Sequence, residues 1–182
     1  MEQKSIKGSK TEKNLLTSFA GESQARNRYS YAAKVARNEG FIQISNIFEE
    51  TAGNEKEHAK RMFKFLEGGP VEITAVYPGG KIGSTIENLE AAAAGEHEEQ
   101  ALLYPGFAKV AKEEGFGVVA AAYTAISNAE RQHEKRYLAL LENIKTGNVV
   151  KKDKPVKWRC SNCGYIHEGP EAPRMCPACE AR

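Results

Sequence analysis

The chain has 182 residues, of which 41% are hydrophobic and 27% charged, and its formal net charge at pH 7 is +2. That charge is too small to indicate a nucleic-acid or membrane surface, and the lysines and arginines are scattered among acidic residues. Of the 24 acidic residues only Asp153 is an aspartate. This bias favours long helices, because aspartate competes with the helix backbone for hydrogen bonds and glutamate does not.

The beginning of the chain also bears on its location. Residues 1–14 are polar and lack the apolar core of about 7–15 residues that a secretory signal needs. No apolar run approaches the length of about 18 residues that indicates a membrane span. We therefore expect a cytoplasmic protein with no membrane or nucleic-acid partner.

The first two predicted helices form a hairpin. Residues 9–12 have a capping-box pattern and open a helix that ends near Gly40. A second helix follows over about 41–67 and stops at 68–70, Gly-Gly-Pro. The short turn at Gly40 predicts two antiparallel neighbours.

The second half of the chain repeats this pattern after a long connection. Residues 70–84 are rich in glycine, proline and β-branched residues, which predicts an extended crossover. Residues 84–87 form another capping box and open a third helix, with Leu103 on its inner face and Pro105 expected to kink it or end its first segment. A fourth helix is predicted over about 117–146, so the fold class is an all-α four-helix bundle.

An internal repeat supports the two-hairpin reading. Glu-Gly-Phe occurs at 39–41 and again at 114–116, and Glu-x-x-His occurs at 55–58 and at 130–133. These features share a constant offset of 75 residues, while Glu22 and Glu96 match at an offset of 74. Each half therefore supplies one glutamate and then one Glu-x-x-His pair.

The two Glu-x-x-His pairs lie on the apolar stripes of their helices, so they are predicted to face the core. Buried carboxylates are costly unless cations accompany them, and two divalent ions nearly cancel the charge of five glutamates. Hard oxygen ligands with one nitrogen donor per ion suit iron or manganese. The predicted catalytic and metal-binding residues of the bundle are Glu22, Glu55, His58, Glu96, Glu99, Glu130 and His133.

For several residues at or near these positions, the sequence is compatible with either a structural role or a role at the metal site. A single Glu-x-x-His is usually a solvated helical pair, but two repeat-related pairs on apolar stripes favour the metal site. Glu99 is either a ligand or a half-exposed rim residue. Tyr29 and Tyr104 are either core aromatics or donors to the ligating carboxylates. His97 and His167 are expected to face solvent.

All four cysteines lie near the end of the chain. Cys160 and Cys163 form one Cys-x-x-Cys pair, and Cys176 and Cys179 form the other. Four thiolates at this spacing predict a tetrahedral metal site, and from spacing alone zinc is favoured over iron. Residues 148–157 are predicted to be an exposed linker to this module.

Over nearly its whole length the chain resembles rubrerythrin. The motifs that carry the resemblance are 95–99 followed by Tyr104-Pro105, the two Glu-x-x-His helices, and 158–165 with 176–179. The turn at 163–165, Cys-Gly-Tyr, resembles a rubredoxin knuckle, which moves the cysteine site from zinc towards iron.

The resemblance implies a ferritin-like bundle over 1–147 with a non-haem di-iron centre and a rubredoxin-like Fe(Cys)4 domain over 158–182. It implies a peroxidase that reduces hydrogen peroxide to water as part of oxidative stress defence. Electrons would come from a reductase or rubredoxin through the Fe(Cys)4 centre. Family members are usually homodimers or larger homo-oligomers.

The resemblance also assigns roles at the di-iron centre. Glu55 and Glu130 would bridge the two irons, and Glu22 and Glu96 would be terminal ligands.

The remaining ligands differ between the two irons. Glu99 would exchange with His58 at one iron as the oxidation state changes, while His133 binds the other iron throughout. One departure from the family pattern is that the chain ends at Arg182, three residues after Cys179, where the family continues through a further short strand. We therefore expect this end of the small domain to be frayed.

Two other functions remain compatible with the residues. One is a ferritin-like ferroxidase for iron storage or detoxification, which has no need of the thiolate domain. The other is a zinc-ribbon interaction module on a metal-stabilised bundle, without turnover. Metal analysis separates all three.

Overall fold

We describe residues 4–181 from a computed structural model of the chain. Within this range the helices are α1 Lys10–Asn38, α2 Ile42–Phe63, α3 Thr85–Glu98, a π-helical segment Glu99–Leu103, α4 Tyr104–Glu113 and α5 Gly117–Lys145. The strands are β1 Lys151–Arg159 and β2 Ile166–Glu171. The chain divides into two compact units between Leu138 and Ala139. Among the described residues we find no helix with the length and apolarity that crossing a membrane requires.

The first unit has the two helical hairpins that the repeat predicts. Helix α1 ends in a Schellman turn in which Gly40, at φ 88°, donates to Arg37 and Phe41 donates to Ala36. The same turn recurs 75 residues later at Gly115, at φ 86°, between α4 and α5. Since only glycine adopts this conformation without strain, the two turns close two helical hairpins of one design.

Each hairpin also caps the other. The carboxylate of Glu39, at the first turn, accepts from the Thr85 N–H at the start of α3 at 3.1 Å. The carboxylate of Glu114, at the second turn, accepts from the Lys10 and Thr11 N–H groups at the start of α1 at 3.1 and 2.8 Å. These bonds satisfy helix N–H groups that have no partner within their own helix, so the repeated glutamates fasten the halves together.

The third bundle helix differs from a regular helix at the place where a proline was predicted to disturb it. The π-helical segment immediately precedes Tyr104 and Pro105, and α3 and α4 continue on either side of it. Leu103 was predicted to face inward, but it is 36% exposed. That prediction was wrong because a wider π turn rotates the residues that follow it relative to an α-helical register.

The second unit contains the antiparallel pair β1–β2, in which Trp158 lies opposite His167. The Trp158 indole N–H donates to the Gly169 carbonyl at 2.9 Å. Residues 151–157, for which we predicted an exposed linker, are part of strand β1 instead. The physical reason is that Lys151, Val156 and Lys157 pair with Glu171, Gly169 and Glu168 of β2, which the sequence alone did not reveal.

Candidate metal centres

The glutamates of the two repeats meet in the interior of the first unit. Glu22 comes from α1, Glu55 from α2, Glu96 from α3 and Glu130 from α5. Each of the four is at most 1% exposed. Four carboxylates buried this deeply require a positive counterpart, because an isolated buried charge is strongly disfavoured.

Two overlapping groups of ligand atoms are formed. In each group the ligand atoms lie within 4.8 Å of one another. The first group consists of Glu22, Glu55, His58 and Glu130, and the second of Glu55, Glu96, Glu130 and His133.

Glu55 and Glu130 belong to both groups. Glu55 places one oxygen 2.9 Å from the Nδ1 atom of His58 and the other 3.3 Å from that of His133. Glu130 does the same at 2.9 and 2.8 Å. Each carboxylate therefore faces two sites at once, which is the geometry required of a bridging ligand.

Several atoms of these side chains are buried and make no hydrogen bond. They are Glu22 Oε2, Glu55 Oε1, Glu96 Oε2, both carboxylate oxygens of Glu130, and His133 Nδ1. Unsatisfied buried polar atoms cost about 1–3 kcal/mol each, so such a concentration needs an explanation. Metal coordination supplies one, and the donor set of carboxylate oxygens with one imidazole nitrogen per group suits iron.

The electrostatics of the cluster follow from the same crowding. Burial and repulsion from Glu55 raise the pKa of Glu22 well above its usual value, and burial raises the pKa of Glu96 to about 8. Burial would lower the pKa of the imidazoles, but the carboxylates of Glu130 and Glu55 close to their Nδ1 atoms outweigh it. The pKa of His58 rises to about 10 and that of His133 to about 12.

Two tyrosines hold the outer carboxylates, each from the opposite repeat. The Tyr29 hydroxyl donates to Glu96 at 2.6 Å, and the Tyr104 hydroxyl donates to Glu22 at 2.5 Å. Both rings are also core residues, with Tyr29 packed edge-on against Tyr137. Tyr29 and Tyr104 are therefore both core aromatics and hydrogen-bond donors to the carboxylates.

Glu99 lies beside the cluster but outside both groups. It is half-buried on the π-helical segment, and its Oε1 is 4.0 Å from the point that a Cβ on Gly21 would occupy. Burial and repulsion from Glu96 and Glu130 raise its pKa well above the usual value. Glu99 is thus a neighbour of the cluster whose carboxyl group is harder to ionise than usual.

The two remaining histidines differ in exposure. The side chain of His97 is 60% exposed and its Nδ1 lies 2.9 Å from Glu134. His167 is half-buried beside Gly169, so it is less exposed than His97. Neither histidine belongs to a group of ligand atoms within the described range.

The four cysteines form a separate cluster in the second unit. Their sulfur atoms lie within 4.8 Å of one another, with Cys160 and Cys179 at 3.8 Å and Cys163 and Cys176 at 3.6 Å. A hydrogen bond from the Asn162 amide lowers the pKa of the Cys179 thiol to about 6. Such a thiol is largely thiolate at neutral pH, the form that binds metals.

Two similar backbone knuckles carry these cysteines. Gly164 N–H donates to the Cys160 carbonyl at 2.9 Å, and Glu180 N–H donates to the Cys176 carbonyl at 2.9 Å. The second knuckle is closed further by a bond from Cys176 N–H to the Ala181 carbonyl at 2.8 Å. The fraying that we expected after Cys179 is therefore not observed as far as Ala181.

Sequence reasoning missed the π-helical segment and the residues that contact it. The signal was present in the repeat, because Glu22 and Glu96 match at an offset of 74 whereas Tyr29 and Tyr104 match at 75. One residue is therefore inserted between Glu96 and Tyr104. A single inserted residue is what a π turn accommodates within an α-helix.

A helical bundle with a glutamate from each of two helices and a Glu-x-x-His pair from each of the other two defines the class of ferritin-like di-metal carboxylate proteins. A family model described as Rubrerythrin matches residues 13–141, and one described as Rubrerythrin, rubredoxin-like domain matches residues 158–182. The chain belongs to the rubrerythrin family. Its first unit has a ferritin-like di-iron site with carboxylate and histidine ligands, and its second a rubredoxin-like four-cysteine site.

Known proteins agree with this assignment. The chain is 58% identical over 176 residues to a rubrerythrin of Nitratidesulfovibrio vulgaris, covering 97% of this chain and 92% of that protein. A structure of nigerythrin in a partially reduced state superposes with a TM-score of 0.68 at 34% identity, covering 96% of this chain and 86% of that one. A Desulfovibrio desulfuricans bacterioferritin shares the fold, with a TM-score of 0.66 at 23% identity over 76% of this chain and 82% of that one.

Proposed function

We propose that the protein is a non-haem di-iron peroxidase that reduces hydrogen peroxide to water in the cytoplasm. The observation that carries this proposal is that Glu55 and Glu130 each face both histidines, so two metal ions would be held side by side by shared carboxylates. Two iron ions there would supply one electron each to split the O–O bond, and two protons complete the conversion of peroxide to two water molecules.

His58 and Glu99 are the two side chains proposed to alternate as ligands of one metal ion. The imidazole of His58 lies 2.9 Å from both Glu55 and Glu130 and belongs to the first group of ligand atoms. The Glu99 carboxylate lies outside both groups of ligand atoms. We propose that Glu99 replaces His58 at one ion on oxidation, because a ferric ion prefers the harder anionic oxygen.

The tyrosines orient the terminal carboxylates. Tyr29 and Tyr104 each occupy one oxygen of Glu96 and Glu22 with a hydrogen bond, which leaves the other oxygen of each carboxylate unpaired for a metal. Hydrogen-bond partners of metal ligands hold those ligands in position, and removing one commonly lowers metal affinity about 10–100-fold.

The four-cysteine site supports the electron supply. An iron ion held by Cys160, Cys163, Cys176 and Cys179 would exchange one electron at a time, so two transfers would restore the bundle site after each turnover. We propose a reductase or a rubredoxin as the external donor and a homodimer or larger homo-oligomer as the working form.

The test is rapid anaerobic mixing of the reduced, iron-loaded protein with hydrogen peroxide, followed by absorbance of the ferric bundle site. We expect oxidation within the turnover time in the wild type and in Glu98→Ala, which alters an exposed residue of the same helix. Glu96→Ala should lose the fast phase. Equal rates in the wild type and Glu96→Ala would overturn the proposal.

Metal analysis of the same samples separates the rival functions. About three iron atoms per chain fit the two metal centres. Many iron atoms per chain, with faster oxidation by oxygen than by peroxide, would favour a ferritin-like ferroxidase. Zinc alone in the cysteine site, without turnover, would favour a structural module.

A further inference from the structure

The Gln100 carbonyl of the π-helical segment has no partner in the helix backbone. Tyr104 N–H donates to the Glu99 carbonyl, which is the i to i+5 bond of a π turn. The Gln100 carbonyl would accept a hydrogen bond from the N–H of Tyr104 in an α-helix, or from that of residue 105 in a π-helix. The Tyr104 N–H already donates to Glu99, and Pro105 has no N–H.

Ser127 of α5 supplies the missing donor. Its hydroxyl donates to the Gln100 carbonyl at 3.0 Å, and the residue is only 6% exposed. A buried carbonyl without a partner is costly, so this hydroxyl stabilises the π turn against relaxation to a regular helix.

The Gln100 side chain is held by the same helix. Arg131 Nε donates to its Oε1 at 3.3 Å, and its Nε2 donates to Glu134 at 3.2 Å. Ser127, Arg131 and Glu134 are spaced by four and three residues, so they lie along one face of α5. We refer to these three residues as the α5 clamp.

The repeat shows that the clamp accompanies the π turn. At the offset of 75, Ser127 corresponds to Ala52 and Glu134 corresponds to Ala59, both on α2. The first repeat has a continuous helix α1 where the second has its π turn. The half of the bundle without a π turn therefore has alanine at two of the three clamp positions.

Glu99 immediately precedes the clamped residue. We propose that the α5 clamp positions Glu99. Because Ser127 holds the Gln100 carbonyl, it sets the distance between the Glu99 carboxylate, which lies beside Gly21, and the di-iron site. The Ser127 hydroxyl donates to the Gln100 carbonyl and not to any of the predicted metal ligands. The effect on the midpoint potential of the iron-loaded site rests on the proposed exchange of Glu99 with His58, whereas the effect on the π turn does not.

Ser127→Ala tests the structural half of the proposal in the metal-free full chain. We expect the Tyr104 amide, which closes the π turn, to exchange with deuterium about tenfold faster, as expected for one lost buried hydrogen bond. The matched control is Ser45→Ala, which removes a buried serine hydroxyl that makes no hydrogen bond. Unchanged exchange in Ser127→Ala would overturn the proposal.

A double-mutant cycle with Glu99→Gln tests the positioning half through the midpoint potential of the iron-loaded bundle site. Ser127→Ala should favour the ferrous state by about tenfold in the ferric/ferrous equilibrium, because the carboxylate that stabilises ferric iron is displaced. The same change should have no effect in the Glu99→Gln background. A persistent effect there would show that Ser127 acts by another route and would overturn the proposal. A wild type inactive with peroxide, but with this coupling intact, would remove the proposed function alone.

Discussion

Tyr104 donates its hydroxyl hydrogen to Glu22, a carboxylate on the first helix of the opposite repeat. The related pair, Tyr29 and Glu96, makes the same crossed bond in the other direction. Each half of the molecule therefore orients a metal ligand of the other half, and neither hairpin by itself contains a complete site.

This relationship predicts the outcome of removing one hydroxyl. Tyr104→Phe should weaken cobalt(II) binding to the bundle roughly 10–100-fold, because Glu22 loses the partner that orients it. The measurement is a titration followed by the visible absorption of bound cobalt. Tyr123→Phe is the matched control, since its hydroxyl faces Ser18 at 3.1 Å and not a carboxylate. Similar losses in the two variants would contradict an orienting role for Tyr104.

Glu99 should be separable from metal binding. Because it lies outside both ligand groups, Glu99→Gln should leave the affinity for two cobalt(II) ions unchanged within about twofold. Peroxide turnover of the iron-loaded variant should nevertheless fall by about 100-fold, since the neutral amide cannot replace His58 as an anionic ligand. Loss of cobalt binding would show instead that Glu99 is an ordinary ligand of the divalent state.

The metal-free protein should become less stable as pH rises. The pKa of Glu96 is raised to about 8, so its contribution is lost between about pH 4.5 and 8. The pKa values of His58 and His133 are raised to about 10 and 12, so their contributions are complete below about pH 6.5 and are lost on approach to those values.

Urea unfolding of the metal-free protein between pH 6.5 and 9 measures this effect. We expect a fall of more than about 1.4 kcal/mol, the equivalent of one pKa unit. With metal bound the trend should reverse, because ligands must lose protons to bind it. Glu96→Gln should make the metal-free curve less steep, with the contributions of the two histidines remaining, and an unchanged slope in that variant would contradict the assignment.

The second cysteine knuckle contains a residue in a strained conformation. Glu180 has φ 59°, at the position that Gly164 occupies in the first knuckle with φ 80°. Glu180→Gly should therefore stabilise the metal-bound unit, by about 0.5–1 kcal/mol, whereas Gly164→Ala should destabilise it by about 1–2 kcal/mol. The rate at which a chelator removes the metal from the full chain reports both changes. Faster removal from Glu180→Gly would contradict the prediction.

Much of the site followed from local spacing. Glu55 and His58 are one helical turn apart, and so are Glu130 and His133, so each pair must share a face once the helices form. Their positions on apolar stripes directed them to the interior, and the offset of 75 residues related one pair to the other. These are properties of individual helices, which is why the primary structure alone determined the helical bundle, the two donor pairs and the cysteine knuckles.

Tertiary structure decided how the helices complete one another. The crossed bonds of Tyr104 and Tyr29, the placement of Glu99 outside the ligand groups, and the hydroxyl of Ser127 on a π-turn carbonyl all join residues far apart in the chain. Such contacts depend on the rotation of one helix against another, and a single inserted residue changes that rotation without altering the apolar pattern around it. The physical reason is that periodicity fixes the face on which a residue lies, whereas packing fixes the residue that it meets.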